Sequence, residues 1–124
     1  MSSKMLLITI VSVGLSALAQ LSLKIGSAAL SPDIPLRALP TVAIAKAVFL
    51  NPHILIGFFL YGIGALTWLL VLSRVELSVA YPFVALGLIV TMLLGALVLQ
   101  ESVGLLRMLG GLLIVLGVLC VAYS

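Results

Sequence analysis

The stretch that decides the fold is residues 77–100, LSVAYPFVALGLIVTMLLGALVLQ, which holds 24 residues and no charged side chain. An α-helix of about 20 apolar residues crosses the roughly 30 Å hydrocarbon core of a bilayer. Apolar side chains run continuously here instead of occupying every second position, so the pattern excludes a membrane β-barrel strand. The stretch therefore predicts a transmembrane helix.

Three further runs without charge lie outside this stretch, at residues 5–23, 54–73 and 108–124. The last has 17 residues, and it becomes long enough if it begins at residue 103 and Arg107 extends toward the headgroups. The sequence thus predicts an all-α integral membrane protein, a single domain over residues 1–124 with four transmembrane helices in a bundle. The predicted spans are 3–25, 52–72, 78–100 and 103–123, and the short links after the second and third make those helices antiparallel neighbours.

Composition excludes a water-soluble fold. Only 7% of the residues are charged and 65% are hydrophobic, whereas about 25% of a soluble domain is charged. The net charge of +3 is small, and its scattered residues do not predict a nucleic-acid partner. Bases near helix ends more often meet lipid phosphates. Cys120 is the only cysteine, which excludes an internal disulfide or a multi-cysteine metal site.

The link between the first two spans, residues 26–51, is the longest. Its three prolines and three charges exclude a fifth crossing. Residues 36–50 alternate apolar with basic residues, which is compatible either with a short segment lying on the membrane surface or with a plain loop. Asn51 followed by Pro52 is typical of a helix start.

The distribution of basic residues leaves the orientation open. Two lie on the side that the termini share and four on the opposite side, a weak bias by the positive-inside rule. Either orientation, or insertion of one sequence in both, is compatible with it. The basic residues are Lys4 and Arg74 on the first side, and Lys24, Arg37, Lys46 and Arg107 on the second.

The first span carries polar residues at every fourth position: Ser12, Ser16, Gln20 and Lys24. This spacing places them on one helix face. Serines on membrane helices are also satisfied by their own backbone or by tight packing. Gln20 and Lys24 need hydrogen-bond partners, headgroups or water, so this face predicts a substrate contact.

Aromatic residues occur on the next two spans. Gly57, Tyr61, Gly64 and Trp68 share one inclined face of the second span, a pattern of either ordinary packing or a cleft. Tyr61 falls near the middle of the membrane, where the preference of tyrosine for the interface does not explain it. Tyr81, before Pro82, opens the third span.

Small residues predict where helices approach one another. Gly87, Thr91 and Gly95 recur every four residues on the third span, and Gly110 and Gly117 lie one heptad apart on the fourth. Both patterns are typical of helix packing. For Gly110 and Gly117 the partner is either another helix of this chain or a second subunit.

Charged residues flank the two short links: Arg74 and Glu76 beside the first, Glu101 and Arg107 beside the second. Such residues serve either solvation or headgroup binding. The sequence has no nucleophile paired with a base, no second histidine for a metal and no phosphate-binding glycine loop. We therefore predict neither an enzyme, a metal site nor a cofactor.

An ordered set of motifs resembles the small four-helix members of the drug/metabolite transporter superfamily, which include EamA-like and small multidrug resistance proteins. The likeness is greatest to bacterial flippase subunits that move undecaprenyl-phosphate-linked aminoarabinose across the inner membrane. It misses most of residues 26–51. The motifs are AQLSLK at 19–24, WLLVL at 68–72, VAYPF at 79–83, LQES at 99–102 and the glycines from 110 to 117.

This resemblance implies a multi-pass inner-membrane transporter that works as a dimer, homomeric or with a related small subunit, and often antiparallel. Gly110 and Gly117 match the dimer-contact helix of the small multidrug resistance family. Drug exporters of that family carry an acidic residue at the position of Ser16. Its loss removes the carboxylate on which proton-coupled export of cationic drugs depends.

The leading hypothesis is a flippase for a lipid-linked sugar or a similar anionic lipid, with Lys24 on the phosphate and Gln20, Tyr81 and Glu101 orienting the headgroup. One alternative is an exporter of amphiphilic cations or metabolites. Another is a non-transporting accessory bundle of a glycolipid synthesis complex. The predicted substrate-binding residues are Ser16, Gln20, Lys24, Tyr61, Trp68, Arg74, Tyr81, Glu101 and Arg107.

Overall fold

The computed structural model describes residues 2–30 and 41–124. In these residues the backbone forms five α-helices and one 3-10 turn, Ser27–Leu30, without a β-strand. Four of the helices are long and apolar enough to cross a membrane, which confirms the predicted all-α class with four candidate spans. The helices are α1 (Ser3–Gly26), α2 (Thr41–Phe49), α3 (Pro52–Leu72), α4 (Leu77–Leu97) and α5 (Leu105–Ala122).

The start of α3 is fixed by the residues predicted to fix it. The Asn51 side-chain oxygen accepts hydrogen bonds from the backbone N–H groups of His53 (3.0 Å) and Ile54 (3.4 Å), and Pro52 occupies the first turn. The Asn51 amide nitrogen donates to the carbonyl oxygen of Gly26 at 3.1 Å. One side chain thus caps α3 and ties it to the end of α1.

The turn between α4 and α5 is longer than the sequence indicated. Residues 98–100 were expected to be helical and residue 103 to begin the next span, but α4 ends at Leu97 and α5 begins at Leu105. Gln100 has a φ of 53°, a left-handed conformation that a right-handed helix cannot contain. The backbone N–H of Glu101 then donates to the Gly95 carbonyl oxygen at 3.0 Å.

α2 lies within the predicted link between the first two spans and makes part of it helical instead of a plain loop. Val42, Phe49 and Leu50 in and beside it are 66%, 70% and 77% exposed. Its placement on the membrane surface stays a prediction. Residues 31–40 of the link lie outside the described residues.

α1 is the central helix of the bundle, because it packs against both α3 and α4, while α5 packs against α4. At the α1–α3 contact, a Cβ atom on Gly57 would lie 2.7 Å from Leu23 Cγ and 3.2 Å from the Ala19 carbonyl oxygen. Only glycine permits this separation of the two helices. α3 and α4 make few contacts with each other, and a gap remains between them.

Candidate functional site

A cavity of about 810 Å³ occupies the gap between α3 and α4, with α1 behind it. Its volume lies within the range of about 300–1,000 Å³ that is typical of small-molecule sites. Residues of the 98–104 turn and of the first turn of α5 line one end. Its polar lining residues are Ser12, Ser16, Gln20, Lys24, Tyr61, Trp68, Tyr81, Thr91, Glu101 and Arg107.

The polar face of α1 forms the back of this cavity, and two of its residues bond to α3. Ser12 is 2% exposed, and its hydroxyl donates to the Gly64 carbonyl oxygen at 2.9 Å. The Gln20 amide donates to the Tyr61 hydroxyl. Ser16 lines the cavity between these two bonds. α1 therefore both holds α3 and presents amide and hydroxyl groups to the cavity.

Charged residues gather at the end where α1 and α4 finish and α5 starts. Lys24, Glu101 and Arg107 all line the cavity there, so among the described residues the cavity lining at this end has two positive charges and one negative charge. An Arg107 guanidinium nitrogen donates to the Ser102 carbonyl oxygen at 3.2 Å, which uses one of its five N–H donors. The arrangement offers cations for an anionic group and a carboxylate for a cationic one.

Aromatic residues line the remainder of the cavity. Trp68 on α3 is half-buried, whereas Tyr81 in the second turn of α4 is 62% exposed. Tyr61 lies between Trp68 and the charged end along α3. Indole and phenol rings pack against apolar or sugar faces and also hydrogen-bond through one polar atom. The cavity is thus amphipathic, with aromatic rings toward one end and charges at the other.

The comparison with protein families agrees with this architecture. The EamA-like transporter family model matches residues 4–123. The chain belongs to the EamA-like transporter family. Together with four helices able to span a bilayer, this makes it a multi-pass protein of the bacterial inner membrane.

Two relatives of this EamA-like protein, both named probable 4-amino-4-deoxy-L-arabinose-phosphoundecaprenol flippase subunit ArnE, are similar over part of the chain. The protein from Pseudomonas fluorescens Pf0-1 is 38% identical over 68 residues, which are 55% of this chain and 60% of that protein. The protein from Pseudomonas aeruginosa UCBPP-PA14 is 43% identical over 63 residues, 51% and 55% of the two chains. The match thus spans little more than half of each relative. No solved structure matches.

Eight of the nine predicted substrate-binding residues of this EamA-like protein line the cavity: Ser16, Gln20, Lys24, Tyr61, Trp68, Tyr81, Glu101 and Arg107. Arg74 does not. It follows α3 in the 73–76 link, at the opposite end of that helix from Asn51. That these residues bind a substrate stays a prediction, and for Arg74 the cavity offers no support.

The glycines predicted to pack helices lie in two environments, and a further glycine contact, at Gly111, was not predicted. Gly87 and Gly95 line the cavity with Thr91, and a Cβ on Gly87 would lie 3.3 Å from Val13 Cγ1 of α1. For Gly110 and Gly117, an added Cβ would meet no atom within 4 Å from other parts of the described residues, and a second subunit as their partner stays a prediction. Gly111 instead faces α4, where an added Cβ would lie 3.3 Å from Ile89 Cδ1.

Sequence reasoning missed how Gly95 and Glu101 meet. A Cβ atom on Gly95 would lie 2.7 Å from Glu101 Oε2, so the carboxylate occupies the space that this glycine leaves open. In the sequence, a row of glycines on one helix face looks the same whether it packs against another helix or leaves space for a side chain. The left-handed turn at Gln100, which folds Glu101 back over α4, left no signal in the hydropathy pattern.

Proposed function

We propose that this protein is a flippase subunit that translocates a polyprenyl-phosphate-linked sugar of the aminoarabinose type, or a similar anionic lipid. The observation that carries the proposal is the cavity between α3 and α4, in which charged, amide and aromatic side chains converge. The names of the partly similar relatives support the same substrate class. The activity is transport and involves no catalytic chemistry.

The charged end suits a phosphate. Lys24 and Arg107 are both cavity residues, and charge-assisted hydrogen bonds to phosphate are about twice as strong as neutral ones. Enclosing the headgroup in a polar cavity lowers the cost of taking charge into hydrocarbon. Lys24 is therefore the principal phosphate-binding residue.

The sugar would occupy the part of the cavity beyond the phosphate. The Gln20 amide and Tyr61 hydroxyl already bond to each other, and sugar hydroxyls are able to bond to both groups. The ring faces of Trp68 and Tyr81 lie toward the other end of the cavity, and the sugar would contact them as the headgroup moves along the cavity. Glu101 is the acidic residue among the described residues of the cavity lining, and it would pair with an amine on the sugar.

The lipid tail stays in the bilayer. α3 and α4 make few contacts with each other, so the cavity has a lateral gap through which a tail would extend. A cavity of about 810 Å³ suits a headgroup and not a polyprenyl chain. A second copy or a related small subunit would complete the wall, with Gly110 and Gly117 of α5 at the contact, and alternating access would move the headgroup.

Flipping of a fluorescent polyprenyl-phosphate aminoarabinose analogue in proteoliposomes tests this function. We expect Lys24→Ala to abolish translocation, whereas Lys4→Ala, on the same helix but outside the cavity, leaves it unchanged. Wild-type flipping by Lys24→Ala would overturn the phosphate role. Transport of amphiphilic cations instead of the lipid would favour the exporter alternative, and no transport by the purified dimer would favour the accessory bundle.

A further inference from the structure

We propose that Gly95 is a positioning residue for the Glu101 carboxylate, and that this carboxylate makes the cavity select headgroups that carry a protonated amine. The inference rests on the proposed function and deepens it. It assigns selectivity for the amine to one side chain and the placement of that side chain to a glycine of a neighbouring helix.

Two contacts hold Glu101 in place. Its backbone N–H donates to the Gly95 carbonyl oxygen at 3.0 Å, which is possible because Gln100 takes a φ of 53° and turns the chain back toward α4. Its carboxylate then lies over Gly95, which is buried. The main chain of Glu101 is thus bonded to Gly95, and its carboxylate lies against the same residue of α4.

The space over Gly95 is too small for a methyl group beside the Glu101 carboxylate. An added Cβ would lie 2.7 Å from Glu101 Oε2 and 3.5 Å from its Cδ, and the first of these distances is too short for a carbon and an oxygen that are not bonded. Only the tip of a flexible side chain is affected, so Gly95→Ala would move the carboxylate without forcing apart backbone or core. Alanine also favours the helix more than glycine does.

The position of the carboxylate matters because its neighbours along the cavity are cationic. Lys24 and Arg107 line the same end, so without Glu101 this end would attract any phosphate, whatever sugar it carried. One carboxylate beside two cations favours a headgroup that carries both a negative phosphate and a positive amine. While Lys24 and Arg107 bind the phosphate, a neutral sugar would offer the carboxylate no cationic group, and this penalty produces the selectivity.

Trp68 provides the readout. It is the only tryptophan of the chain and it lines the cavity, so its fluorescence in lipid nanodiscs reports binding directly. Two short-chain polyprenyl-phosphate probes are titrated, one with aminoarabinose and one with the same sugar N-formylated and therefore neutral. We expect wild-type protein to prefer the amine by about tenfold or more, the factor typical of a hydrogen bond to a charged group.

We expect Glu101→Gln and Gly95→Ala each to reduce this preference to near one, and the double variant to match Glu101→Gln alone, because both changes act through one carboxylate. The matched control is Gly62→Ala on α3, where an added Cβ meets nothing within 4 Å. It should keep the wild-type preference. A merely structural role of Gly95 would weaken both probes equally and leave their ratio unchanged.

Three results would overturn the proposal. They are a wild-type preference retained by Gly95→Ala or by Glu101→Gln, a double variant that falls below Glu101→Gln, and equal binding of both probes by the wild type. If the wild type binds both probes equally and Lys24→Ala abolishes this binding, the proposed function stands and only the selectivity is refuted. If the wild type binds neither probe, both the selectivity and the proposed function are overturned.

Discussion

The close contact between α1 and α3 predicts that Gly57→Ala destabilises the protein. The new Cβ would lie 2.7 Å from both Leu23 Cγ and Leu23 Cδ2, and 3.2 Å from the Ala19 carbonyl oxygen. Carbon atoms in contact normally lie about 3.5–4.0 Å apart. Cγ is the branch point of Leu23 and Ala19 contributes backbone, so α1 and α3 must separate by up to about 1 Å. Overpacking of this kind typically costs about 1–3 kcal/mol.

Gly62→Ala is the matched control for this measurement. It lies on the same helix, but its added Cβ meets nothing within 4 Å. Both variants gain the same helix propensity of about 1 kcal/mol, so the difference between them isolates the contact. We expect Gly57→Ala to be less stable than Gly62→Ala by about 1–3 kcal/mol in unfolding by sodium dodecyl sulfate, followed by circular dichroism. Equal stability of the two variants would refute the close approach of α1 and α3.

Two further predictions concern polar contacts between α1 and α3. Asn51→Ala removes the cap of α3 and the bond to the Gly26 carbonyl oxygen, and we expect it to lower stability by about 1 kcal/mol or more in the same unfolding assay; wild-type stability would contradict the capping role. Tyr61→Phe and Gln20→Ala should each weaken binding of the amine probe severalfold, and the double variant should be no weaker than the worse single one, because the two side chains are bonded to each other. Additive losses in the Trp68 titration would contradict a joint role.

Hydropathy determined most of what could be predicted about the fold. Charge-free runs identify helices able to span a bilayer because charge in hydrocarbon is costly. Helix ends were predicted where they have a chemical signal, as at Asn51 and Pro52. The predicted end of α4 was wrong because residues 98–100 carry no charge, so hydropathy extends the span through them, whereas the left-handed φ of Gln100 is incompatible with the helix.

The sequence predicted the cavity only in part, because some of its features have a signal in the sequence and others have none. Four-residue spacing on one helix is visible in the sequence, so the polar face of α1 was found. Which atom meets which across two helices depends on their relative register and rotation, which no single-helix pattern contains. For this reason the sequence could not predict the pairing of Ser12 with the Gly64 carbonyl oxygen or of Glu101 with Gly95.

The polar face of α1 changes its role along the helix. Near the middle, the buried Ser12 donates to the Gly64 carbonyl oxygen, and a headgroup reaching that depth would have to displace a bond that holds α1 to α3. Two turns further, the exposed Gln20 is bonded to a hydroxyl that lines the cavity, where a sugar hydroxyl competes at lower cost. Lys24 follows in the last turn. The polar side chains of α1 are thus least engaged in bonds within the protein at the charged end. This suits a bound headgroup whose phosphate lies at that end while its sugar extends inward.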